Sequence, residues 1–467
     1  MQMVIDAAAM EPAAAGADGD GSPRRGIAAA MPGPGRFNFF QRMMLRWREL
    51  HPYNPVHVLR IPAPLDAGRL REAIGAQLEA QCLTGLCVDA RRWRFVFEGG
   101  PAQVELRVLD GAGAADAVLS RCIEEELNRP FAAGVHENPF RFVAIDEHGA
   151  FRLALVYDHY VAGGEAIARW LTQLAGQLLG EVALPAPAQA CGPGRYRQAV
   201  LRHPGWWLRA LVGVPRMLAQ SRRSCRMRSR GADDRRNGFR SLQLGAAQTR
   251  ALQAAAGAWG VTLHELVTAC LLKALSPVVP GRDERSRRNA LAVASIMNMR
   301  RDLGPASRDG ISPFLAAYRV VHRVPEGIGL RQLALEVHAQ VQRVKRDHLY
   351  LQSLMGLALT VPLWPLLTPR QRDAFYPKHF PVQAGITTID LDRLWAERGG
   401  APSARIDYLR AVPTGPLCPL VLAVTRVRGE LRLGLCFRTG VYSGKAVERL
   451  TRELQQCFDA LPPQAEA

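Results

Sequence analysis

The sequence predicts a mixed α/β (α+β) protein folded as two lobes. Three observations predict it. At 467 residues the chain is too long for one compact pair of layers. Segments of strand period and helix period are mixed in both halves. A Pro/Ala loop (Pro185 to Gly194) and a strongly basic stretch separate those halves.

The elements follow in order. After a helical start at Phe37 come a strand at His57 to Ile61 and a helix at Asp66 to Ala80. Arg92 to Leu109 alternates as strands do. Asp116 to Asn128 is an amphipathic helix with Val118, Cys122 and Leu127 on its apolar stripe. Phe140 to Ile145 and Phe151 to Asp158 form a hairpin about Glu147-His148-Gly149. The helix from Glu165 to Leu179 repeats its apolar positions at Ile167, Trp170, Leu171, Leu174 and Leu178. The second half opens with a strand at Phe239 to Leu244. Thr262 and Glu265 form a capping box for the next helix, and Ala290 to Ile296 is a buried strand. Leu420 to Val427 and Glu430 to Arg438 make a hairpin about Arg428-Gly429. A last helix spans Lys445 to Leu461. The expected division is a disordered tail at 1–35, an N-terminal lobe at 36–194, a basic amphipathic linker at 195–237 and a C-terminal lobe at 238–467.

Composition narrows the functional classes. Hydrophobic residues are 48% and charged residues 22%, so most of the chain is globular. The net charge is +18, yet 13 Arg against Asp233 and Asp234 place +11 of it between Arg195 and Arg240. Nine Cys without metal spacing read as thiols of a reducing cytoplasm. Met1 to Gly35 lacks a basic leader followed by an apolar core, so no secretory signal is expected. Leu349 to Pro369 is free of formal charge for 21 residues. Gln352, Ser353, Pro362 and Pro365 make it a buried core helix rather than a membrane span.

Chemistry concentrates in Leu153-Ala-Leu-Val-Tyr-Asp-His-Tyr-Val-Ala-Gly-Gly-Glu165. A buried strand delivers His159 to a Gly-containing turn that runs into a helix. A His there faces a cleft and suits general base work, or it merely caps the strand.

This stretch resembles the His-x-x-x-Asp-Gly motif of the acyltransferase superfamily that includes chloramphenicol acetyltransferase, nonribosomal peptide condensation domains and wax ester synthases. His159 matches the motif His and Gly164 the motif Gly, while Gly163 stands where the family has Asp. Further segments resemble the family in the same order. They are Leu127 to Phe131 with Pro139 to Arg141, Gly260 to Glu265, Ile296 to Arg301 (the family's Asn-x-Arg segment, with Asn298 and Arg300), and Gln383 to Gly385 with Ile389 to Leu391.

The resemblance implies a chloramphenicol-acetyltransferase-like fold: two lobes, each a mixed sheet with helices, and a tunnel between them. It implies His159 as general base. An acyl group would move from a thioester, on coenzyme A or a carrier protein, to a hydroxyl or amine of a small-molecule or lipid-like acceptor. The thioester is a cosubstrate, and no bound cofactor or metal is implied. Gly163, Gly164, Glu165 and Arg300 would support the motif loop, with Tyr160, Asn298 and Gly385 along the tunnel. The family's Asp is structural and pairs with the Arg matched here by Arg300. Its absence makes Glu165 the expected partner, ahead of Asp158 and Asp302. The same gap supports an alternative, a catalytically degenerate relative that binds a ligand or partner.

The segment 204–236 carries Trp206, Trp207, Leu208, Leu211, Val212, Val214, Met217 and Leu218 among arginines. It reads as an inter-lobe helix with a solvated basic tail, as a peripheral contact with the inner membrane surface, or as a docking face for an acidic carrier protein. No nucleic acid is expected, because no recognised binding motif accompanies the charge. His264 reads as a packing residue, and His322 and His338 have no metal-spaced partners. Met43-Met44 and Met297/Met299 read as core.

Overall fold

The computed structural model describes residues 34–180, 202–227, 234–280, 282–283, 285–304, 307, 310–396 and 406–461. The expected tail falls outside these residues apart from Pro34 and Gly35, and the Pro/Ala loop falls wholly outside them.

The fold is built on two large mixed sheets. The N-terminal sheet runs in the order Asp407–Ala411, Val56–Ile61, Phe151–Tyr157, Phe140–Asp146, Leu106–Asp110. Leu106–Asp110 pairs parallel and the rest antiparallel. The C-terminal sheet runs Leu315–His322, Leu291–Asn298, Ala384–Asp390, Leu420–Val427, Glu430–Arg438, Asn237–Leu244. A smaller four-stranded sheet flanks the first.

Phe151–Tyr157 is almost wholly buried. Such a run can only be a central strand covered on both faces. The helices Ala67–Ala80 and Gly164–Leu178 pack against each other beside it. In the C-terminal lobe, Leu263–Leu275 lies between Leu330–Arg346 and Gly444–Asp459. Its capping box forms as expected: Thr262 Oγ1 accepts from the Glu265 amide, and Glu265 Oε2 accepts from the Thr262 amide. Arg428 and Gly429 both take positive φ (51° and 73°), the geometry of a tight two-residue hairpin turn.

The lobes interlock. Asp407–Ala411 comes from the C-terminal half but forms the edge of the N-terminal sheet, with Arg410 opposite His57. That crossing strand runs tight over Gly434, where a Cβ would sit 1.8 Å from the Arg410 carbonyl oxygen, so only glycine fits. A second apolar cluster forms where Leu119, Ile123 and Leu127 meet Val143, Val156, Phe239 and Cys436.

The uncharged run at 349–369 departs from expectation. Leu351–Leu363 is a helix with Leu351, Leu354, Leu357 and Val361 buried. Its opposite face is open: Leu359, Leu363 and Leu366 are exposed. Absence of charge does not separate a core helix from one with an apolar outer face. No single helix among the described residues is long and apolar enough to cross a membrane.

Candidate active site

Where Phe151–Tyr157 ends, the backbone turns: the Val161 amide donates to the Asp158 carbonyl, and the His159 amide donates to the Tyr53 carbonyl of a neighbouring loop. The Gly163 amide reaches across to the Ile311 carbonyl of the C-terminal half. The helix Gly164–Leu178 then begins. This turn sets the His159 ring on the wall of a cavity of about 320 Å³ lined from both lobes.

Within the cavity wall, His159 rests beside Tyr53 (ring centroids 5.2 Å apart) and edge-on to Tyr157 (5.9 Å). Its Nδ1 is buried against the main chain of its own turn, which leaves Nε2 as the nitrogen open to the cavity. Burial pushes the imidazole down to about 4, opposed in part by the main chain of Ala162 and His159. The ring is therefore neutral at pH 7, the form that accepts a proton.

A second histidine, His57, lines the same cavity and was not singled out from the sequence. Its Nδ1 lies 2.6 Å from the Tyr408 hydroxyl and its Nε2 3.4 Å from the Tyr157 hydroxyl. With both nitrogens engaged it has no free site for a substrate proton. A strand signal was available: His57 shares its face with buried Leu59 and Ile61.

Arg410 was also missed. It is almost fully buried, donates from Nε to Thr425 Oγ1 (2.8 Å) and from Nη2 to the Val424 and Thr387 carbonyls, and lines the cavity. Burial lowers its pKa to about 10, so it stays charged at neutral pH.

The residues singled out by motif divide. Gly163, Gly164, Glu165, Asn298, Arg300 and Gly385 all line the cavity with His159. Tyr160 does not. It packs behind the turn, edge-on to Phe37, and its hydroxyl donates to Glu137 Oε2 (2.5 Å). The strand has ended at Tyr157, so Tyr160 is placed by the turn and points away from His159's side.

The expected partner of Arg300 is also corrected. Glu165 Oε2 accepts from Asn298 Nδ2 at 2.6 Å. Arg300 Nη2 donates to the Gly310 and Ser312 carbonyls at 2.7 and 2.9 Å, and its guanidinium lies over the Phe314 ring. Asp158 binds Arg48, and Asp302 accepts from the Tyr350 hydroxyl. Glu165 sits in the first turn of its helix, and that direction takes its carboxylate to Asn298.

Restoring the family's Asp gives a test of the turn. A Cβ at Gly163 would meet Arg300 Nη2 at 3.5 Å, ordinary contact, and the backbone there (φ −87°, ψ 146°) suits any residue. Gly163 is also the helix N-cap with no side-chain cap. Gly163→Asp is expected to add about 1 kcal/mol by joining a cap to a charge-assisted bond with Arg300. Chemical denaturation measures it; a loss of stability would contradict this geometry.

Beneath the turn, Arg48 binds Glu137 and Asp158, each at 2.7 Å, and lies over the Tyr160 ring. Burial works against the Arg48 charge, but the bonds to Glu137 and Asp158 outweigh it and raise its pKa. Asp158 is pushed up to about 6, by burial first and by neighbouring Glu137, against the pull of Arg48. The other histidines are held by hydrogen bonds: His264 is bonded to Thr388 and Ser295, His322 to Glu336, and His338 to Glu265. Met43, Met44 and Met299 are core, and Met297 packs partly buried against it.

Comparison with known proteins assigns the fold. No family model matches the chain, and no curated protein matches it. Solved structures do. The first condensation domain of the calcium-dependent antibiotic synthetase, in complex with a substrate analogue, superimposes with TM-score 0.67 at 16% identity over 93% of this chain and 98% of that one. The condensation domain of the Monacolin K polyketide synthase gives 0.67 at 13% identity over 92% and 97%. The cyclization-docking bidomain of EpoB from Sorangium cellulosum gives 0.66 at 14% identity over 95% and 88%. The chain has the two-lobed, chloramphenicol-acetyltransferase-like fold of condensation domains.

Proposed function

We propose that the protein is an acyltransferase and that His159 is its general base. The observation that carries this is a neutral imidazole with an open Nε2 on the wall of a cavity between the lobes. An acceptor hydroxyl or amine attacks the thioester carbonyl carbon while Nε2 takes its proton. The tetrahedral oxyanion collapses, the C–S bond breaks, and the departing thiolate takes the proton from the imidazolium. The products are an ester or amide and a free thiol. Base catalysis of this kind contributes roughly 10²–10⁴-fold, and holding both substrates in one cavity contributes further. The fold likeness supports a thioester donor on a carrier protein, and coenzyme A remains the second donor to try.

Glycine at 163 favours a second reading, a ligand-binding relative without turnover, since the motif carboxylate is missing. Thiol release separates the two: the acyltransferase releases thiol only when donor and acceptor are both present, and the binding protein releases none.

The pH profile tests the base directly. A folded-state pKa near 4 keeps His159 unprotonated through the range where an ordinary His, near 6.5, gains its proton. The first-order fall of kcat/KM on the acid side is expected near pH 4. Asp158, protonating near 6, adds only a shallow decline, because Arg48 keeps Glu137. A first-order fall centred at 6.5 would assign the proton transfer to another group.

A further inference from the structure

Of the twelve large apolar side chains exposed among the described residues, seven lie on two helical segments, each of two consecutive elements, that touch through Pro204–Val212 and Leu351–Leu363. Leu208, Leu211, Val212 and Leu218 belong to the helices Pro204–Val212 and Val214–Arg223. Gly213 joins these two in helical conformation (φ −75°, ψ −11°). Leu359, Leu363 and Leu366 belong to the helix Leu351–Leu363 and the turn after it. Val212 is 74% exposed and Leu366 78%; it is their grouping, not the exposure of any one of them, that marks an interaction surface.

Their order is helical. Leu208, Leu211, Val212, Pro215, Leu218 and Ala219 recur at steps of three and four, so they form one stripe along both helices. Arg209, Arg216 and Arg223 are seven apart, all exposed, and run along one flank of that stripe. Residues 202–227 contain six Arg and no Asp or Glu.

The second element continues the face. Gln352 Nε2 donates to the Ala210 carbonyl at 2.8 Å, fixing the first helix pair over Gln352. Leu359 is seven residues further on and lies on the same side of its helix as Gln352. Leu359, Leu363 and Leu366 form an open face further along the helix that Pro204–Val212 packs on.

We propose that this face docks on an anionic membrane surface, with its leucines in the acyl boundary and its arginines at the level of the phosphates. Charge decides the occupant. A line of cations beside an apolar stripe matches a lipid boundary on both counts, whereas an acidic protein surface would satisfy the arginines and leave the leucines against polar groups. The same helix lines the cavity at Arg216, Met217 and Gln220, with Arg216 at the boundary between the cavity and the docking flank, so a cavity wall is the back of the docking helix. The surface does not depend on the reaction proposed above.

Co-sedimentation of the full chain with vesicles tests it, using phosphatidylcholine alone and phosphatidylcholine mixed with phosphatidylglycerol. Binding is expected to the mixed vesicles only, and to weaken as salt rises. The double variant R209Q/R223Q should bind roughly 25-fold more weakly, about fivefold per cation. The triple variant L208S/L211S/V212S should lose at least about tenfold. L363S/L366S repeats the test on the second element should the triple variant misfold. Failure of the intact chain to pellet with either vesicle would overturn the proposal, as would pelleting that all three variants retain. Binding of an acyl carrier protein that the leucine variants abolish, with no vesicle binding, would reassign the face to protein docking.

Discussion

Replacing His159 by alanine is expected to lower turnover by roughly 10²–10⁴-fold while the protein keeps its fold. The geometry gives the reason for both halves. The ring makes no side-chain hydrogen bond; it touches Tyr53 and Tyr157 and faces a cavity that already exists. Its removal widens the cavity and leaves no buried charge behind. His57→Ala offers the contrast. That ring is buried and bonded to the Tyr408 and Tyr157 hydroxyls, donating to one and accepting from the other, so its loss strands two buried hydroxyls and costs stability. Parallel measurement of thiol release and denaturation midpoints distinguishes the roles. An active His159→Ala protein would remove His159 as base.

Replacing Arg48 by leucine is expected to cost about 3–5 kcal/mol at neutral pH. Arg48 sits between Glu137 and Asp158, whose carboxylates are nearly inaccessible to solvent. Without it two buried acids remain side by side. Both would then take folded-state pKa values above their unfolded ones. The penalty is therefore full where both are ionised and shrinks as pH falls and the folded protein takes up protons. Urea denaturation at pH 7.5 and 5.5 checks the sign. A deficit that grows at the lower pH would contradict the ion-pair account. Because Asp158 directly precedes His159, turnover should fall as well, and Asp158→Asn in the same background should restore part of the stability.

What was legible in the sequence was what is local. The continuous apolar run of Leu153 to Tyr157, the glycines after His159 and the helical spacing from Ile167 onward lie within one stretch of chain, and together they place the histidine at a strand end. The capping box at Thr262 and the turn at Arg428-Gly429 are local in the same way. The partners were not legible. Tyr408 is 351 residues from His57, and only the exchange of Asp407–Ala411 into the other sheet brings them together. Arg48 reads as a basic residue in the last turn of a helix, and its acids are 89 and 110 residues away. Glu165 was assigned to Arg300 by its nearness to the gap at Gly163. The direction of a helix's first turn, which sequence spacing does not encode, gave it Asn298 instead.

The central claim is an acyl transfer carried out in the cavity beside His159. It is tested most directly by following thiol release by the intact chain from acyl-loaded carrier protein and from acyl-coenzyme A of several chain lengths, with and without a pool of alcohols and amines. The account predicts release from at least one donor that requires an acceptor and yields one ester or amide per thiol. A folded protein that releases no thiol from either donor, with every acceptor present, would contradict it.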